Sequence, residues 1–281
     1  MDASIRVMSL AGSQPGQLSE REFRLFRDFI YQFAGISLSD AKRPLVAGRL
    51  GKRIRQRGFD SYAQYFQCLQ QDADERQMAV DLLTTNETYF FREPKHFEFL
   101  RHKVLPSLPR GGPVRIWSGA CSSGEEPYTI AMVLHESLGG RPWEVVASDL
   151  SSRVLNQARS GQYPLEDAEG IPKPLLRKYC LKGVGNQEGT FAIGPELRQG
   201  IHFRQINLNT HLPPAMGSFD VIFLRNVMIY FDIETKRQVV RRLLPLLKPG
   251  GYFMVSHSEN LNGITEDLQA VQPSIYRKDH A

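Results

Sequence analysis

The chain is poor in cysteine: Cys68, Cys121 and Cys180 are the only three among 281 residues, and none sits in a CxxC pair. That pattern excludes a disulfide scaffold and a clustered zinc site. Long apolar runs are missing too. The most apolar stretch, 219–231, is cut by Asp220, Arg225 and Asn226 and falls short of the about 18 residues that a membrane span needs. The start, MDASIRVMSLAGSQPG, lacks the basic opening and long apolar block of a secretory signal. No internal repeat is present, and the only biased tract is the polar start over 1–16. What remains is ordinary: 41% apolar, 23% charged and a net charge of +5, on a chain long enough for one large domain or two modest ones. The expectation is a reduced, soluble, cytoplasmic protein.

Hydrophobic spacing divides the chain. Residues 18–83 are predicted helical. Ser19 can cap a helix that carries Phe23, Phe26, Phe29 and Ile30 at helical spacing. A second helix opens at Pro44 and stops near Gly58, and others cover 61–70 and 75–83. After Arg110-Gly111-Gly112-Pro113 the period changes. Short apolar runs at 114–117, 144–147, 202–206, 221–224 and 252–255 are predicted strands, with helices at 128–138, 152–160 and 233–247. Such alternation implies a parallel sheet with helices on both faces. Pro249-Gly250-Gly251 is expected to end the last helix and lead into a closing hairpin with 274–277. The Gly/Pro-rich segment 161–199 breaks the rhythm and is read as an insertion. The predicted organisation is a flexible tail (1–16), an all-α domain (17–84), a linker (85–112) and an α/β domain (113–281).

Strand 114–117 runs into Ser118-Gly119-Ala120-Cys121-Ser122-Ser123-Gly124 and then a helix. A glycine loop outside the carboxyl end of a strand is where open α/β sheets bind ligands. The G-x-G-x-x-G pattern is absent, and G-x-x-x-x-G-K-[ST] fails because Glu125-Glu126 stand where lysine and hydroxyl belong. Two carboxylates there repel a pyrophosphate, which needs bare N–H groups and positive potential. A positively charged cofactor is welcome instead. S-adenosylmethionine carries a sulfonium, an α-ammonium and a ribose diol, and Asp149, ending the next strand in Ala147-Ser148-Asp149, can accept both ribose hydroxyls. On spacing alone an alternative stays open: Glu125 and Glu126 serve the helix dipole, and Asp149 caps the helix near Ser152.

Four segments, LTTNETYFFRE (83–93), WSGACSSGEEPY (117–128), ASDL (147–150) and FLRNVMIYFD (223–232), together resemble the chemotaxis receptor methyltransferases, the CheR family. The motifs stand in the family's order with similar spacing, and the resemblance runs from near Leu18 to Lys278. It implies a protein-glutamate O-methyltransferase that converts S-adenosylmethionine to S-adenosylhomocysteine and makes glutamate 5-O-methyl esters on membrane chemoreceptors, for adaptation in chemotaxis. The implied fold is α/β: a class I, Rossmann-like methyltransferase domain with a small β-subdomain insertion, preceded by an all-α domain. The implied partners are the cytoplasmic domains of methyl-accepting chemoreceptors, to whose membrane arrays a monomeric enzyme is recruited without inserting into the bilayer.

Such a transfer needs little acid–base help, because a glutamate with an ordinary pKa of about 4.3 is already ionised at neutral pH. Positioning is the task, and it alone supplies roughly 7–11 kcal/mol. A cation that holds the carboxylate is therefore the expected part. Arg92 is the candidate, since its planar fork grips a carboxylate while staying charged. The other reading of Arg92 is a surface ion pair with Glu93 or Glu98. Tyr230, beyond an apolar strand, can orient the carboxylate by a hydrogen bond; a core tyrosine is its alternative. By resemblance, Asn86 and Thr88 join Arg92 beside the cofactor, along with Ala120 of the glycine loop. Glu126 meets the methionine moiety, Asn207 and Leu208 form the adenine edge, and Arg225 and Asn226 line the pocket. Cys121 has no histidine near it in sequence and is read as a small loop residue. The seven histidines form no pair with metal-ligand spacing, so no metal is predicted.

Between Lys42 and Arg57 lie Lys42, Arg43, Arg49, Lys52, Arg53, Arg55 and Arg57, with no acid among them. On a helix from Pro44, Val46, Leu50 and Ile54 share one side while Arg49, Lys52, Arg53 and Arg55 fan over the rest. Docking onto an acidic receptor helix, a solvated face and a nucleic-acid footprint all fit such a run. A nucleic-acid methyltransferase or RNA-binding module on the same fold is the rival function. Against it, Arg225-Asn226-Val227-Met228-Ile229-Tyr230 lacks the proline pair of DNA amino methyltransferases. Within the insertion, Lys182, Gly183 and Gly185 resemble the turn with which some family members bind a receptor's C-terminal pentapeptide by strand addition. There the two glycines are expected to let a ligand backbone come close, although Phe191-Ala192-Ile193-Gly194-Pro195 lacks the arginine expected for the peptide's carboxylate.

Overall fold

The computed structural model describes residues 16–279. The tail expected over 1–16 therefore lies, apart from Gly16, outside the described residues. The chain forms two compact units. One holds the described residues up to Phe33 together with Ser37–Thr84; the other holds Ala34–Ile36 and the described residues from Thr85 onward.

The first unit is built from α1 (Glu20–Ala34), α2 (Arg43–Gln56), α3 (Tyr62–Gln71) and α4 (Ala73–Leu83). A reciprocal cap opens α1: the Glu22 N–H donates to Ser19 Oγ (3.3 Å), and the Ser19 N–H donates to Glu22 Oε2 (3.0 Å). Phe23, Phe26 and Ile30 are buried, as are Val46, Leu50 and Ile54 of α2 and Tyr62, Tyr65 and Leu69 of α3, which is the helical-spacing core predicted. Phe29 is only half-buried.

The basic face of α2 differs from expectation. Lys52 and Arg55 are exposed, but Arg53 grips the buried Glu75 of α4 through two bonds of 2.7 and 2.6 Å. Arg49 donates to the carbonyls of Leu83 (2.8 Å) and Thr84 (3.0 Å), closing the end of α4. Two of the four docking candidates, Arg49 and Arg53, thus hold the helices together. The run has no acid of its own, but the chain returns one to it from α4.

The second unit starts with α5 (Pro94–Phe99), which continues through a wider π turn (Leu100–Val104) into α6 (Leu105–Ser107). Phe97, Leu100 and Val104 are buried in one core with Ile116 and Val145. Residues 85–112 are therefore part of this unit and not a linker, because their apolar side packs on the sheet; the Phe97 ring lies 6.0 Å from that of Phe223.

There follow β1 (Val114–Ser118), α7 (Glu125–Ser137), β2 (Trp143–Asp149), α8 (Ser152–Ser160), β3 (Gln162–Pro164), α9 (Lys173–Tyr179), β4 (Cys180–Lys182), β5 (Thr190–Ile193), α10 (Pro195–Arg198), β6 (Ile201–Gln205), β7 (Phe219–Phe223), α11 (Ile233–Leu243), β8 (Leu247–Met254), β9 (Leu268–Gln272) and β10 (Ile275–Lys278). Seven strands form one sheet in the order β6-β2-β1-β7-β8-β10-β9. The first five are parallel, and β10 runs antiparallel to both of its neighbours. Helices cover both faces. Successive residues Ile116 and Trp117 of β1 enter different cores, the first shared with Ile130 of α7 and the second with Val239 of α11.

Two details depart from the predicted plan. The helix expected over 233–247 stops at Leu243, and a short turn containing Pro245 follows it. Lys248, Pro249, Gly250 and Gly251 instead loop out within β8, between the pairs Phe219–Leu247 and Val221–Tyr252. Gly250 has a φ of +72° there, and Pro249 has no N–H to leave unpaired. The outer strand β9 was not foreseen, since it is exposed beyond Leu268 and gives no apolar run. The insertion 161–199 contains a second, three-stranded antiparallel sheet in the order β3-β5-β4. Tyr163 and Phe191 anchor it, their rings 5.6 Å apart and both against Phe90.

Candidate active site

β1 is the switch point of the sheet: the chain leaves it toward β2 and β6 on one side, then resumes with β7 and β8 on the other. Ligands of open α/β sheets bind outside the carboxyl ends at such a point. Immediately beyond β1, the Gly119 N–H donates to Phe223 O (2.8 Å) and the Cys121 N–H to Ser148 O (2.9 Å), pinning the loop across β7 and β2. Gly124 closes the loop at a φ of +101°, and a Cβ there would stand 2.9 Å from both Ala158 Cβ and Tyr163 Oη. Only glycine fits. Cys121 is buried, and burial pushes its thiol well up, so it stays the inert loop residue expected.

The paired carboxylates diverge. Glu125 is buried and accepts from Ser123 Oγ (2.9 and 2.8 Å); burial pushes its carboxyl up to about 7. Glu126 turns toward the switch point, where Oε1 accepts from Ser118 Oγ (2.7 Å) and Oε2 from Arg225 Nη1 (2.8 Å).

Arg225 is buried, lies over the Phe97 ring at 5.4 Å, and binds three groups. Besides Glu126 it donates Nη2 to the Arg92 carbonyl (2.5 Å) and stands 3.1 Å from Glu93 Oε2. Its Nε has no hydrogen-bond partner among the described residues. Burial raises the Glu93 carboxyl, but Arg225, helped by His257 and His96, outweighs that and holds it below the usual range.

Arg92 lies between two non-glycine residues in the left-handed region, Phe91 (φ +56°) and Glu93 (φ +58°). Each costs of order 1–3 kcal/mol and persists only where the surroundings over-determine it. Here they do: the Phe91 N–H donates to Thr129 Oγ1 (3.1 Å), and Arg225 holds both the Arg92 carbonyl and the Glu93 side chain. The Arg92 guanidinium donates Nη1 to Glu87 O (2.7 Å) and lies over the Tyr89 ring at 5.5 Å. Neither Glu93 nor Glu98 is its ion-pair partner, so the surface salt-bridge alternative does not describe it.

The remaining candidates sit around this centre. Asp149, at the end of β2, accepts from the N–H groups of Ser122 and Ser151 (2.9 Å each), while the side chain of Ser151 caps α8. Ser122 Oγ donates to Asn86 O (2.9 Å), which ties the segment of Asn86 to the glycine loop and its Ala120. Asn207 and Leu208 follow β6, where the Ile206 N–H donates to Asp149 O (3.0 Å); Leu208 is buried and Asn207 half-buried. Asn226, at φ +58°, gives its N–H to Glu259 Oε2 (3.0 Å). Thr88 and Tyr230 are half-buried, Thr88 between Asn86 and Arg92, and Tyr230 in the turn after β7.

Two residues were missed. Glu93 was considered only as a partner for Arg92, whereas it serves Arg225. Glu259 is buried and accepts from the N–H groups of Asn226, Ile229 and Ser256, fixing the loop after β7. Its position beyond an apolar strand was the available signal. This donor and acceptor set fits S-adenosylmethionine: carboxylates at Glu126 and Asp149 suit cationic and hydroxyl groups, and the unused Arg225 Nε suits a carboxylate.

In the β-subdomain, β4 pairs only with β5 among the described residues, and Leu181 and Val184 are exposed (61% and 79%). Lys182 is exposed at its end. Gly183 does something other than expected. A Cβ there would lie 2.0 Å from Gln187 O, so the missing side chain makes room for the turn's own carbonyl and not for a ligand. Gly185 has a φ of +58° with open space around it, a conformational need alone.

Residues 21–84 match the CheR methyltransferase all-alpha domain, and residues 86–277 match the CheR methyltransferase SAM binding domain. Chemotaxis protein methyltransferase 2 of Pseudomonas aeruginosa is 42% identical over 267 residues, covering 94% of this chain and 95% of its own length. Chemotaxis protein methyltransferases of Escherichia coli (43% over 263 residues, 92% and 91%) and Salmonella typhimurium (41% over 263 residues, 92% and 90%) are similar to the same extent. Those matches span both units and every motif at the carboxyl edge of the sheet, and the chain belongs to the CheR methyltransferase family.

Proposed function

We propose that the carboxyl edge of β1, β2, β6 and β7 holds S-adenosylmethionine and passes its methyl group to glutamate side chains of membrane chemoreceptors. The observation that carries this reading is Arg225, which ties Glu126 to the strained segment bearing Arg92. Bound S-adenosylmethionine supplies an electrophilic methyl group. Asp149 accepts from the ribose hydroxyls and Glu126 faces the α-ammonium. Asn207 and Leu208 border the adenine, while Asn86, Thr88, Ala120, Arg225 and Asn226 line the rest. The substrate carboxylate arrives ionised, so the chain need move no proton. Arg92 grips it with a charged fork, and Tyr230 orients it by a hydrogen bond.

Lys52 and Arg55 dock the enzyme onto acidic faces of receptor cytoplasmic domains, and the open edge of β4 takes a receptor's C-terminal pentapeptide as an added strand. The enzyme acts as a monomer recruited to receptor arrays. A nucleic-acid target is the weaker reading, because Arg49 and Arg53 are engaged within their own unit and leave a smaller basic patch. Radiolabelled methyl transfer onto membranes carrying chemoreceptors tests the proposal. Base-labile label on receptors supports it; label on nucleic acid, or none on receptors, rejects it.

A further inference from the structure

Beside the Arg225 centre, the fold brings together three potential ligands that are remote from one another in part of the sequence. Glu93 Oε2 lies 3.3 Å from His96 Nδ1 and 3.9 Å from His257 Nε2, and the three atoms all lie within 4.8 Å of one another. His96 is 1% exposed and its Nδ1 has no hydrogen-bond partner among the described residues. Its tautomer follows from the other ring nitrogen. Ser274 Oγ stands 2.6 Å from Pro273 O and 2.7 Å from His96 Nε2; with the hydroxyl proton assigned to Pro273 O, the serine oxygen accepts from Nε2–H. Nδ1 therefore presents a bare lone pair to a carboxylate oxygen. Glu93 Oε2 also accepts from the His257 N–H (3.2 Å) and faces Arg225 Nη2 (3.1 Å), but the buried His96 Nδ1 meets no donor among the described residues, and a cation between Nδ1 and the carboxylate satisfies it.

We propose that Glu93, His96 Nδ1 and His257 Nε2 form a binding site for a borderline divalent transition metal, zinc in type, with its fourth position open to solvent. Two imidazoles and one carboxylate are a zinc donor set, and an open fourth position follows from three protein ligands. The Ser274 contact is the kind of outer hydrogen bond that orients a ligating histidine. His257, with half its side chain exposed, gives the metal a way in. Arg225, 3.1 Å from Glu93, faces the carboxylate as well and balances part of its charge. The expectation that no metal binds rested on histidine spacing along the chain, and His257 is too far from His96 in sequence for spacing to pair them.

The test uses untagged, metal-stripped full-length protein titrated with zinc by calorimetry and with cobalt(II) by visible absorption. One saturable site is expected, with cobalt d–d bands and no thiolate charge-transfer band. Zinc should also raise the melting temperature. Glu93→Gln removes a ligand but also loosens Arg225, so His257→Ala, at a half-exposed position, is the decisive variant. It should keep the fold by circular dichroism, abolish the zinc-dependent rise in melting temperature, and weaken zinc by at least the ~10–100-fold typical of losing even an outer hydrogen bond. The proposal is overturned by the absence of saturable binding, by thiolate bands that point to Cys68 or Cys180, or by zinc affinity unchanged in His257→Ala.

Discussion

Arg225 stands 2.8 Å from Glu126 across the point where β1 and β7 part, and the same guanidinium reaches Glu93 at 3.1 Å. One cation is thus shared between two carboxylates, and the edge of the sheet keeps a negative balance that suits a sulfonium and an α-ammonium. The same guanidinium holds the Arg92 carbonyl, so Glu126 and the segment bearing Arg92 are fixed to one side chain.

Arg92→Ala should reduce methyl transfer to receptors by roughly 100-fold or more, on the magnitude of losing a positioned charge. The melting temperature should stay near wild type, because among the described residues the guanidinium binds only Glu87 O and the Tyr89 ring. Arg92→Lys should rescue poorly, since a point charge lacks the fork. Near-wild-type turnover of the alanine variant would remove Arg92 from the reaction.

Asp149→Ala should weaken S-adenosylmethionine and S-adenosylhomocysteine alike, by roughly 1.5–3 kcal/mol, because both carry the ribose diol. Glu126→Gln should weaken them through lost attraction to the α-ammonium while an oxygen remains for Arg225. Calorimetry on both variants checks this, and unchanged affinities in both reject the pocket.

On α2, reversing Lys52 and Arg55 to Glu should slow methylation of intact receptors and leave S-adenosylhomocysteine affinity alone. Wild-type activity should fall with added salt as docking is screened. Arg53→Ala should behave differently. It removes the two-bond grip on the buried Glu75 carboxylate, leaving Tyr65 Oη (2.9 Å) and Arg57 Nε (3.5 Å) beside it, and should cost about 1.5–3 kcal/mol in chemical denaturation. Normal receptor methylation by the double reversal returns α2 to a solvated face.

Titration with peptides from the C-termini of the host's own chemoreceptors should show saturable binding that is lost in Gly185→Asp, whose side chain enters the open space beside β4. Lys182→Ala should weaken it. No heat or anisotropy change with any peptide removes the tether.

Glu125 sets a pH dependence of stability. Its carboxyl titrates near 7 when folded, against an ordinary 4.5, so between those values the folded state keeps a proton that the unfolded state has released. Stability should therefore fall as pH rises from about 4.5 to 7 and level off above, by at most ~3.4 kcal/mol at 1.36 kcal/mol per pH unit. Glu125→Gln should flatten this slope in denaturant melts between pH 5 and 8. A variant as pH-sensitive as the wild type would exclude Glu125 as the cause.

Local signals were readable in the sequence because they act between neighbours. The Ser19 cap, the Ser152–Ser160 helix, the apolar strands and the glycine loop leading into Glu125 each lie within one contiguous stretch, where capping, period and steric need are set by residues a few positions apart. The family motifs share that property. What only the tertiary structure decided are pairings across the fold: Arg53 with Glu75, Arg225 with Glu93 and Glu126, Glu259 beneath Asn226, and His257 beside His96. A charged side chain's partner depends on which strands and helices close on one another. Distance along the chain carries no record of that, so a basic run that looks unpaired in sequence proved half committed, and histidines without metal spacing meet around one carboxylate.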